Sequence, residues 1–207
     1  MSKQLIISLG REFGSGGHVV AKLLAEHYQI PLYDHNLLKD IASEHHVDAE
    51  DLKKYDEHPR NLLLSRTVNG FSNSPEENVA HMQFDFLRKL SAKGESFVIV
   101  GRCAETILKD NPNMISIFVL GDMEQKIART MECNNISREA AIKMIEHHNK
   151  TRKHYHNHYC ETKWGDSRNY ELSINSSRIG IRETANIVAQ YIDTRRNISE
   201  PDNMLRG

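Results

Sequence analysis

Residues 5–21 read LIISLGREFGSGGHVVA, and they join a short apolar run to a glycine-rich turn and then to an apolar helical pattern. This order predicts a buried strand, a turn and a helix. The turn contains four glycines, Gly10, Gly14, Gly16 and Gly17. Glycine lets backbone approach a ligand closely, and the first N–H groups of a helix favour an anion. The stretch therefore predicts a phosphate-binding loop in an α/β domain, and the alternative is a tight turn that binds no ligand.

The loop departs from the Walker A pattern G-x-x-x-x-G-K-[ST], whose Lys contacts the β- and γ-phosphates and whose hydroxyl holds Mg²⁺. When Gly14-Ser15-Gly16 is aligned on that pattern, Gly17 takes the place of the Lys and no hydroxyl follows it. Arg11 replaces the first Gly of the pattern. Arg11 and Lys22 are the candidate substitutes for the missing Lys, and a protonated His18 would donate a hydrogen bond.

Composition limits the possible functions. The 207 residues suit one domain with a real core, and 27 Lys and Arg against 28 Asp and Glu give a net charge of −1. This balance argues against binding to a nucleic acid polymer or an anionic membrane. Three widely spaced cysteines suggest reduced thiols in a cytoplasmic protein. We expect neither a signal peptide nor a membrane span.

The rest of the chain alternates apolar runs with helical patterns. Strands are predicted at 96–100, 114–120 and 170–175, an extended segment at 30–34, and a loop at 67–77. Helices are predicted at 35–58, 78–90, 123–133, 137–159 and 180–194, with Asp48 and Ser137 as N-caps. Such alternation favours a doubly wound parallel sheet in three layers, with helices on both faces.

Three polar segments follow predicted strands, namely the loop at 10–18, Tyr33-Asp34 and Gly101-Arg102. Ligands of doubly wound sheets lie outside the carboxyl ends of the strands. We therefore expect the three segments to lie on one edge of the sheet, around a common ligand site.

Two motifs support a family resemblance. The string GREFGSGG occupies residues 10–17. A strand that ends in Gly101-Arg102 follows, and after it come an apolar strand, an acid and an Arg-bearing helix between Ile115 and Arg129. Together with an Arg-rich helix and a terminal strand-helix pair, this order resembles the P-loop nucleoside-monophosphate kinases. It is most similar to the cytidylate kinase-like branch, in which G-R-E-[FY]-G-S-G-G replaces the ordinary loop. The resemblance covers about residues 4–193.

The resemblance implies a single kinase-like domain of the P-loop NTPase type with a helical lid. Its core would be residues 1–34, 91–133 and 169–196, its acceptor-binding insert about 35–90, its lid about 134–168, and its disordered tail 197–207. It also implies a transferase that uses ATP and Mg²⁺ to phosphorylate a small nucleotide, most simply a nucleoside monophosphate.

The resemblance further implies which residues form the site. It implies catalytic roles for Arg102, Arg129, Arg152 and Asp34. The residues expected to bind the donor phosphates are Gly10, Arg11, Glu12, Phe13, Gly14, Ser15, Gly16, Gly17 and His18. Arg102 is alternatively a surface cation or a helix-entry residue, Arg129 and Arg152 are alternatively solvated arginines of charged helices, and Asp34 is alternatively, or also, a helix cap. Glu12 would either neutralise Arg11 or orient water on a magnesium ion.

A histidine-rich segment, residues 154–160, also suggests metal binding. On a helix only His154 and His158 share a face, which leaves two ligands missing, so a solvated helix face is the favoured interpretation. Two further functions stay open for the whole chain. One is a nucleotide-binding regulatory protein without turnover, which the missing Lys favours, and the other is a kinase of a different small metabolite.

Overall fold

The computed structural model describes residues 4–34, 36–56, 67–68, 71–72 and 74–198. The strands are β1 (Ile6–Arg11), β2 (Leu32–Tyr33), β3 (Thr67–Val68), β4 (Phe71–Ser72), β5 (Phe97–Val100), β6 (Met114–Leu120) and β7 (Leu172–Asn175). The helices are α1 (Gly17–Tyr28), α2 (Leu37–His45), α3 (Ala49–Lys53), α4 (Pro75–Ala92), α5 (Ala104–Ile107), α6 (Met123–Asn134), α7 (Arg138–Tyr159), α8 (Ser176–Ile179) and α9 (Ile181–Asn197). A short 3-10 turn spans Ser167–Asn169.

A five-stranded parallel sheet in the order β2-β5-β1-β6-β7 forms the centre of the molecule. The central strand β1 pairs with β5 on one side and with β6 on the other. The chain thus winds first to one side of β1 and then to the other. The carboxyl end of β1 lies at the point where the direction of winding reverses, which is where ligands bind in open α/β sheets.

Helices cover both faces of this sheet. One apolar cluster joins Ile7, Leu9 and their neighbours in the sheet to α1 and α9. A second cluster joins Ile6, Phe97 and Ile99 to α2, α4 and α5 on the opposite face. Because side chains alternate along a strand, residues 6 and 7 enter different layers. The predicted three-layer, doubly wound parallel architecture is confirmed.

The helix before β5 is longer at its amino end than the sequence pattern predicts. The predicted loop extends to Glu77, whereas α4 begins at Pro75. Proline is favoured in the first turn because its missing N–H is not needed there, and Glu76 and Glu77 interact well with the helix dipole. The helical pattern of apolar residues becomes visible only after this polar first turn.

The carboxyl-terminal helix also differs from its prediction. Residues 176–179 form a separate short helix, and Gly180 with φ +82° separates it from α9. The last helix then continues past Thr194 to Asn197, so the disordered tail predicted from residue 197 is wrong at that residue. Residues 199–207 of that predicted tail lie outside the described residues.

Two predicted N-caps are confirmed. Asp48 Oδ1 accepts from Glu50 N at 2.8 Å, and Ser137 Oγ accepts from Ala140 N at 3.2 Å. The helical segment predicted at 35–58 is divided into α2 and α3, because His46 adopts a left-handed φ of +56°. His35, 57–66, 69–70 and 73 lie outside the described residues.

In the described part of the chain, no helix has both the length and the apolar character required to cross a bilayer.

Candidate nucleotide-binding site

The loop between β1 and α1 has a backbone that requires glycine. Gly14 and Gly16 have φ values of +76° and +81°. A Cβ at Gly16 would lie 2.5 Å from Cδ1 of Ile181, and one at Gly17 would lie 2.5 Å from Cβ of Arg11. Side chains at these positions would clash with their neighbours, so the glycines keep the loop close to both α9 and the end of β1.

Four N–H groups of this loop have no acceptor within the described residues. They belong to Gly14, Gly16, His18 and Val19. Three of the four lie at the N-cap and in the first turn of α1, which contains no acidic residue. Unpaired amides and the positive end of the helix dipole together suit an anion.

The hydroxyl of Ser15 stabilises the turn itself. Ser15 is fully buried, and its Oγ donates to the carbonyl oxygen of Glu12 at 2.9 Å and accepts from Gly17 N at 3.3 Å. The loop therefore has no hydroxyl in the position from which a Walker A loop holds Mg²⁺.

Glu12 pairs with a lysine that the sequence analysis did not select. Lys126 on α6 places its Nζ 2.8 Å from Glu12 Oε2, and the same oxygen accepts from Gly121 N at 3.1 Å. Lys126 is 7% exposed. Glu12 thus neutralises Lys126 and fixes the loop against the start of α6.

A cavity of about 390 Å³ opens between this loop and α6. The loop side is lined by Arg11, Glu12, Phe13, Gly14, Gly16, Gly17 and His18, and the opposite side by Arg129, Thr130, Cys133, Asn134 and Arg152. Its volume lies within the range of small-molecule sites. The unpaired amides of the loop and two arginines therefore border the same space.

Arg129, Thr130 and Arg152 contribute polar groups to this cavity. Arg129 Nη1 donates to the carbonyl oxygen of Gly14, and Arg152 Nη1 donates to that of Arg11 at 3.4 Å. Thr130 is 2% exposed, and its Oγ1 has no hydrogen-bond partner among the described residues. Buried hydroxyls are nearly always paired, so a bound ligand is the natural partner for this one.

Helix α7 contacts the loop at Phe13. The Phe13 ring stacks on His148 with centroids 4.4 Å apart and planes 12° apart, and its N–H donates to Asn149 Oδ1 at 2.7 Å. The guanidinium carbon of Arg152 lies 5.6 Å from the same ring centroid. Three side chains within two turns of α7 therefore hold this helix against the phosphate loop.

Arg102 is buried and paired with an acid from the region between β2 and β5. Gly101, Arg102 and Cys103 all have left-handed φ values, +77°, +61° and +56°, which is costly for the two non-glycine residues. The guanidinium of Arg102 makes two hydrogen bonds with Asp56, at 2.5 and 2.7 Å. Gln83 Nε2 also donates to Asp56, at 2.9 Å. The interpretation of Arg102 as a surface cation is wrong.

Asp34 bonds to the backbone just before α2, but the N-cap of this helix is Asn36, so the suggested capping role of Asp34 is wrong. Its Oδ1 accepts from Asn36 N at 2.8 Å, and its backbone oxygen accepts from Leu37 N at the start of α2. Its Oδ2 lies 3.7 Å from Nδ1 of His18, which borders the large cavity. The carboxylate is 7% exposed.

A second, small cavity of about 20 Å³ adjoins the first and shares Arg11 and Arg152 with it. Arg102 and Trp164 also border this space. Trp164 packs edge-on against Phe118, with ring centroids 5.5 Å apart. The structure thus brings three arginines, 11, 102 and 152, to one small polar space next to the loop.

Below that space lies a polar cluster at the end of α7. His156 Nε2 lies 2.8 Å from Glu105 Oε1, and the Cys103 thiol hydrogen-bonds to Cys160. Burial alone would lower the pKa of His156, but its hydrogen bonds to Cys160 and Glu105 outweigh burial and raise that pKa to about 10. Hydrogen bonds from Cys103 and His156 lower the pKa of the Cys160 thiol.

Comparison with known proteins agrees with this geometry. The model of the cytidylate kinase-like family matches residues 6–178, which is most of the chain. The chain belongs to the cytidylate kinase-like family. The match spans the phosphate loop, both cavities and the whole of α7.

Several known proteins resemble this member of the cytidylate kinase-like family. A cytidylate kinase from Methanocaldococcus jannaschii is 26% identical over 194 residues, which cover 91% of this chain and 98% of that protein. The crystal structure of an uncharacterised protein from Eubacterium ventriosum is 43% identical, covers 92% of this chain and 99% of its own, and has a TM-score of 0.74. Shikimate kinase from Bacteroides thetaiotaomicron shares the fold, with a TM-score of 0.54. It is 14% identical, and the match covers 91% of this chain and 98% of that one.

Two residues on the α6 side of this cytidylate kinase-like site, Lys126 and Thr130, were not predicted from the sequence, although Arg129 was. They lie on α6 with Arg129 and Cys133, at the i, i+3, i+4 and i+7 spacing of a single helix face. This spacing from Arg129 was the available signal for them. The partner of Lys126, Glu12, lies 114 residues away, so the sequence pattern could not identify it.

The residues present suit the phosphates of ATP. Free amides, two arginines and a buried unpaired hydroxyl are donors, as a triphosphate requires. For Mg²⁺, carboxylates and water replace the Walker A hydroxyl as the available ligands, and Asp34 is the carboxylate beside His18.

Proposed function

We propose that this chain transfers a phosphoryl group from ATP to a nucleoside monophosphate. The observation that carries the proposal is the cavity of about 390 Å³, which is lined on one side by three loop residues with unpaired amides, Gly14, Gly16 and His18, and on the other by Arg129 and Arg152. Enzymes of this class work chiefly by positioning and by neutralising charge on the phosphates. Membership of the cytidylate kinase-like family supports the same reaction class.

Each part of the site has a proposed role. The loop amides bind the donor phosphates, while Arg129 and Arg152 stabilise the negative charge of the phosphoryl group in transit. Arg102 binds phosphate from the second cavity, where Arg11 supplies a further positive charge. Asp34 orients the acceptor or a metal-bound water. Mg²⁺, when bound, would neutralise charge on the β- and γ-phosphates.

We further propose a role for each of two regions of the chain. Residues of about 35–90 bind the acceptor, and about 134–168 form the lid over the donor. The contact between α7 and Phe13 supports the second assignment, because a lid over the donor would have to touch the phosphate loop. Closure of such a lid excludes water that would otherwise hydrolyse the donor.

The acceptor class is supported by the relatives rather than by base contacts. The family description and the cytidylate kinase from Methanocaldococcus jannaschii both point to a nucleoside monophosphate. The alternative that differs only in the acceptor is a kinase of another small metabolite.

A specific observation favours a second candidate, a nucleotide-binding protein that regulates a partner without turnover. Gly17 replaces the Walker A Lys, and Ser15 Oγ donates to the loop backbone. A kinase without these groups lacks two contacts that commonly stabilise the transferred phosphoryl group.

The deciding experiment measures ADP formation from Mg-ATP with purified protein, against a panel of nucleoside monophosphates and with no acceptor. Acceptor-dependent turnover is expected, and it should fall strongly in Arg152→Ala. The matched control is Arg138→Ala, because Arg138 lies on the same helix but pairs with Glu124 at an exposed surface.

Calorimetry on the same samples separates the remaining outcomes. Nucleotide binding without turnover on any acceptor supports the regulatory candidate. Turnover that appears only with a non-nucleotide acceptor identifies a different metabolite kinase. Absence of both binding and turnover means that the glycine loop is only a turn.

A further inference from the structure

Four buried side chains with metal-binding groups meet where the segment after β5 approaches the end of α7. Cys103 and Glu105 come from the start of α5, while His156 and Cys160 come from the last turn of α7 and its C-cap. All four are between 3% and 8% exposed. The set offers two sulfurs, an imidazole nitrogen and a carboxylate oxygen, and the proposed kinase reaction uses none of them.

The distances suit a small tetrahedral ion. One ligand atom each from Glu105, His156 and Cys160 lies within 4.8 Å of the other two, and the Cys103 thiol hydrogen-bonds to Cys160. Tetrahedral zinc holds sulfur at about 2.3 Å and nitrogen or oxygen at about 2.0–2.2 Å, which separates the ligand atoms by roughly 3.3–3.8 Å.

We propose that Cys103, Glu105, His156 and Cys160 form a zinc site. Two thiols and an imidazole favour zinc over magnesium or calcium, which prefer oxygen ligands. Four protein ligands leave no position open for a substrate, so the ion would be structural. In the bound form Cys103 and Cys160 are thiolates and His156 is neutral, and the protons displaced from these three groups pass to solvent.

Neighbouring hydroxyls support the ligands as expected around a metal. Ser8 Oγ donates to Glu105 Oε2 at 3.3 Å, and the Thr106 hydroxyl hydrogen-bonds to Cys160. Hydrogen bonds of this kind orient the side chains that bind a metal directly, and they are a regular feature of metal sites.

The solvated helix face predicted for residues 154–160 was argued from His154 and His158, which are not the histidines of this cluster. His154 and His158 are exposed, as predicted, but His156 and Cys160 share the buried face one turn apart. The ligands that seemed missing come from residues 103 and 105, more than 50 positions earlier. A zinc ion here would fix the end of α7 one turn after Arg152, and the inference does not depend on the proposed kinase reaction.

The test begins with the reduced full-length chain, purified without a histidine tag, stripped with a chelator and then titrated with Zn²⁺ and separately with Co²⁺. We expect one equivalent of zinc per chain by elemental analysis, and a melting temperature that rises with free zinc. Cobalt should give a thiolate-to-metal charge-transfer band and the visible bands of a tetrahedral ion. These spectra need no variant, so a variant that fails to fold does not block the test.

Variants identify the ligands. Cys160→Ser should weaken zinc binding by more than about 100-fold, since losing a residue that only hydrogen-bonds to a metal ligand already costs about 10–100-fold. Cys133→Ser removes the exposed cysteine, and His154→Asn removes an exposed histidine of the same helix. Both controls should keep the cobalt spectrum and the zinc stoichiometry of the wild type.

Two outcomes would overturn the proposal. One is a reduced wild-type chain that binds no stoichiometric zinc and gives no cobalt charge-transfer band. The other is a cobalt spectrum that disappears in Cys133→Ser but persists in Cys160→Ser.

Discussion

Lys126 and Glu12 join α6 to the phosphate loop through an ion pair with little access to water. The Lys126 side chain is 8% exposed and that of Glu12 is 26% exposed. An isolated charge in such a place is costly, whereas the pair together is tolerated. The pair therefore sets the distance between the loop and the helix that carries Arg129.

Lys126→Met should lower the free energy of unfolding by about 1–3 kcal/mol, less than for a fully buried pair because Glu12 is partly exposed. Adding Glu12→Gln should recover part of this loss, since no unpaired carboxylate then remains. Urea denaturation of both single variants and the double variant measures the coupling. Lys150→Met, at an exposed site of α7, is the control and should change stability little. Additive losses in the double variant would contradict the pairing.

Arg102→Ala should weaken binding of the phosphate ligand about tenfold, which corresponds to about 1.4 kcal/mol. Its partner provides the matched comparison, because Asp56→Asn disturbs the same pair but leaves the guanidinium in place. Calorimetry on folded samples should show near wild-type affinity for Asp56→Asn. Equal losses in the two variants would mean that Arg102 acts by holding Asp56 rather than by touching the ligand.

At the scale of whole elements, strands and caps could be predicted because their signals are local. The β-branched runs at 96–100 and 114–120 and the caps at Asp48 and Ser137 depend on neighbouring residues only. Element ends were less predictable where polar first turns hide the helical pattern, as in α4. The loop after β1 was predicted from its glycines, because the left-handed φ of Gly14 and Gly16 is a local requirement of the backbone.

Gly16→Ala should destabilise the chain and abolish tight ATP binding, because the new Cβ would meet Ile181 while the backbone stays left-handed. Gly94→Ala is the control, since Gly94 has a similar φ of +77° but nothing within 4 Å of an added Cβ. The control should lose about 1–2 kcal/mol from the backbone alone. Denaturant unfolding of both variants measures their stability losses, and the difference between the two losses is the steric contribution at Gly16. Equal losses of unfolding free energy in the two variants would show that α9 moves away from the added methyl group without a measurable cost.

At the scale of the whole molecule, the sheet order follows from alternating strands and helices, but the site depends on contacts between distant parts of the chain. Arg102 meets Asp56 across 46 residues, and Phe13 meets Asn149 across 136. No periodicity encodes such pairs, so the sequence predicted which residues carry charge near the loop and missed what each of them contacts. The resemblance to a family supplied candidate roles, and the structure supplied the neighbours.

Mg-ATP at about 100 times its dissociation constant should stabilise the whole chain by about 2.7 kcal/mol if the native state alone binds it. For a domain of this size, this corresponds to a rise in melting temperature of roughly 5–10 °C. Adenosine, which lacks phosphates, is the control ligand and should have little effect. Arg129→Ala should reduce the rise with Mg-ATP, and an undiminished rise would remove Arg129 from the site.

Trp164 is the single tryptophan of the chain, and it borders the small cavity together with Arg11 and Arg102. All indole emission of the protein therefore comes from one place, beside the groups proposed to hold phosphate. The chain carries its own optical reporter, so ligand arrival and movement of the segment after α7 can be followed in real time by stopped-flow fluorescence without attaching a dye.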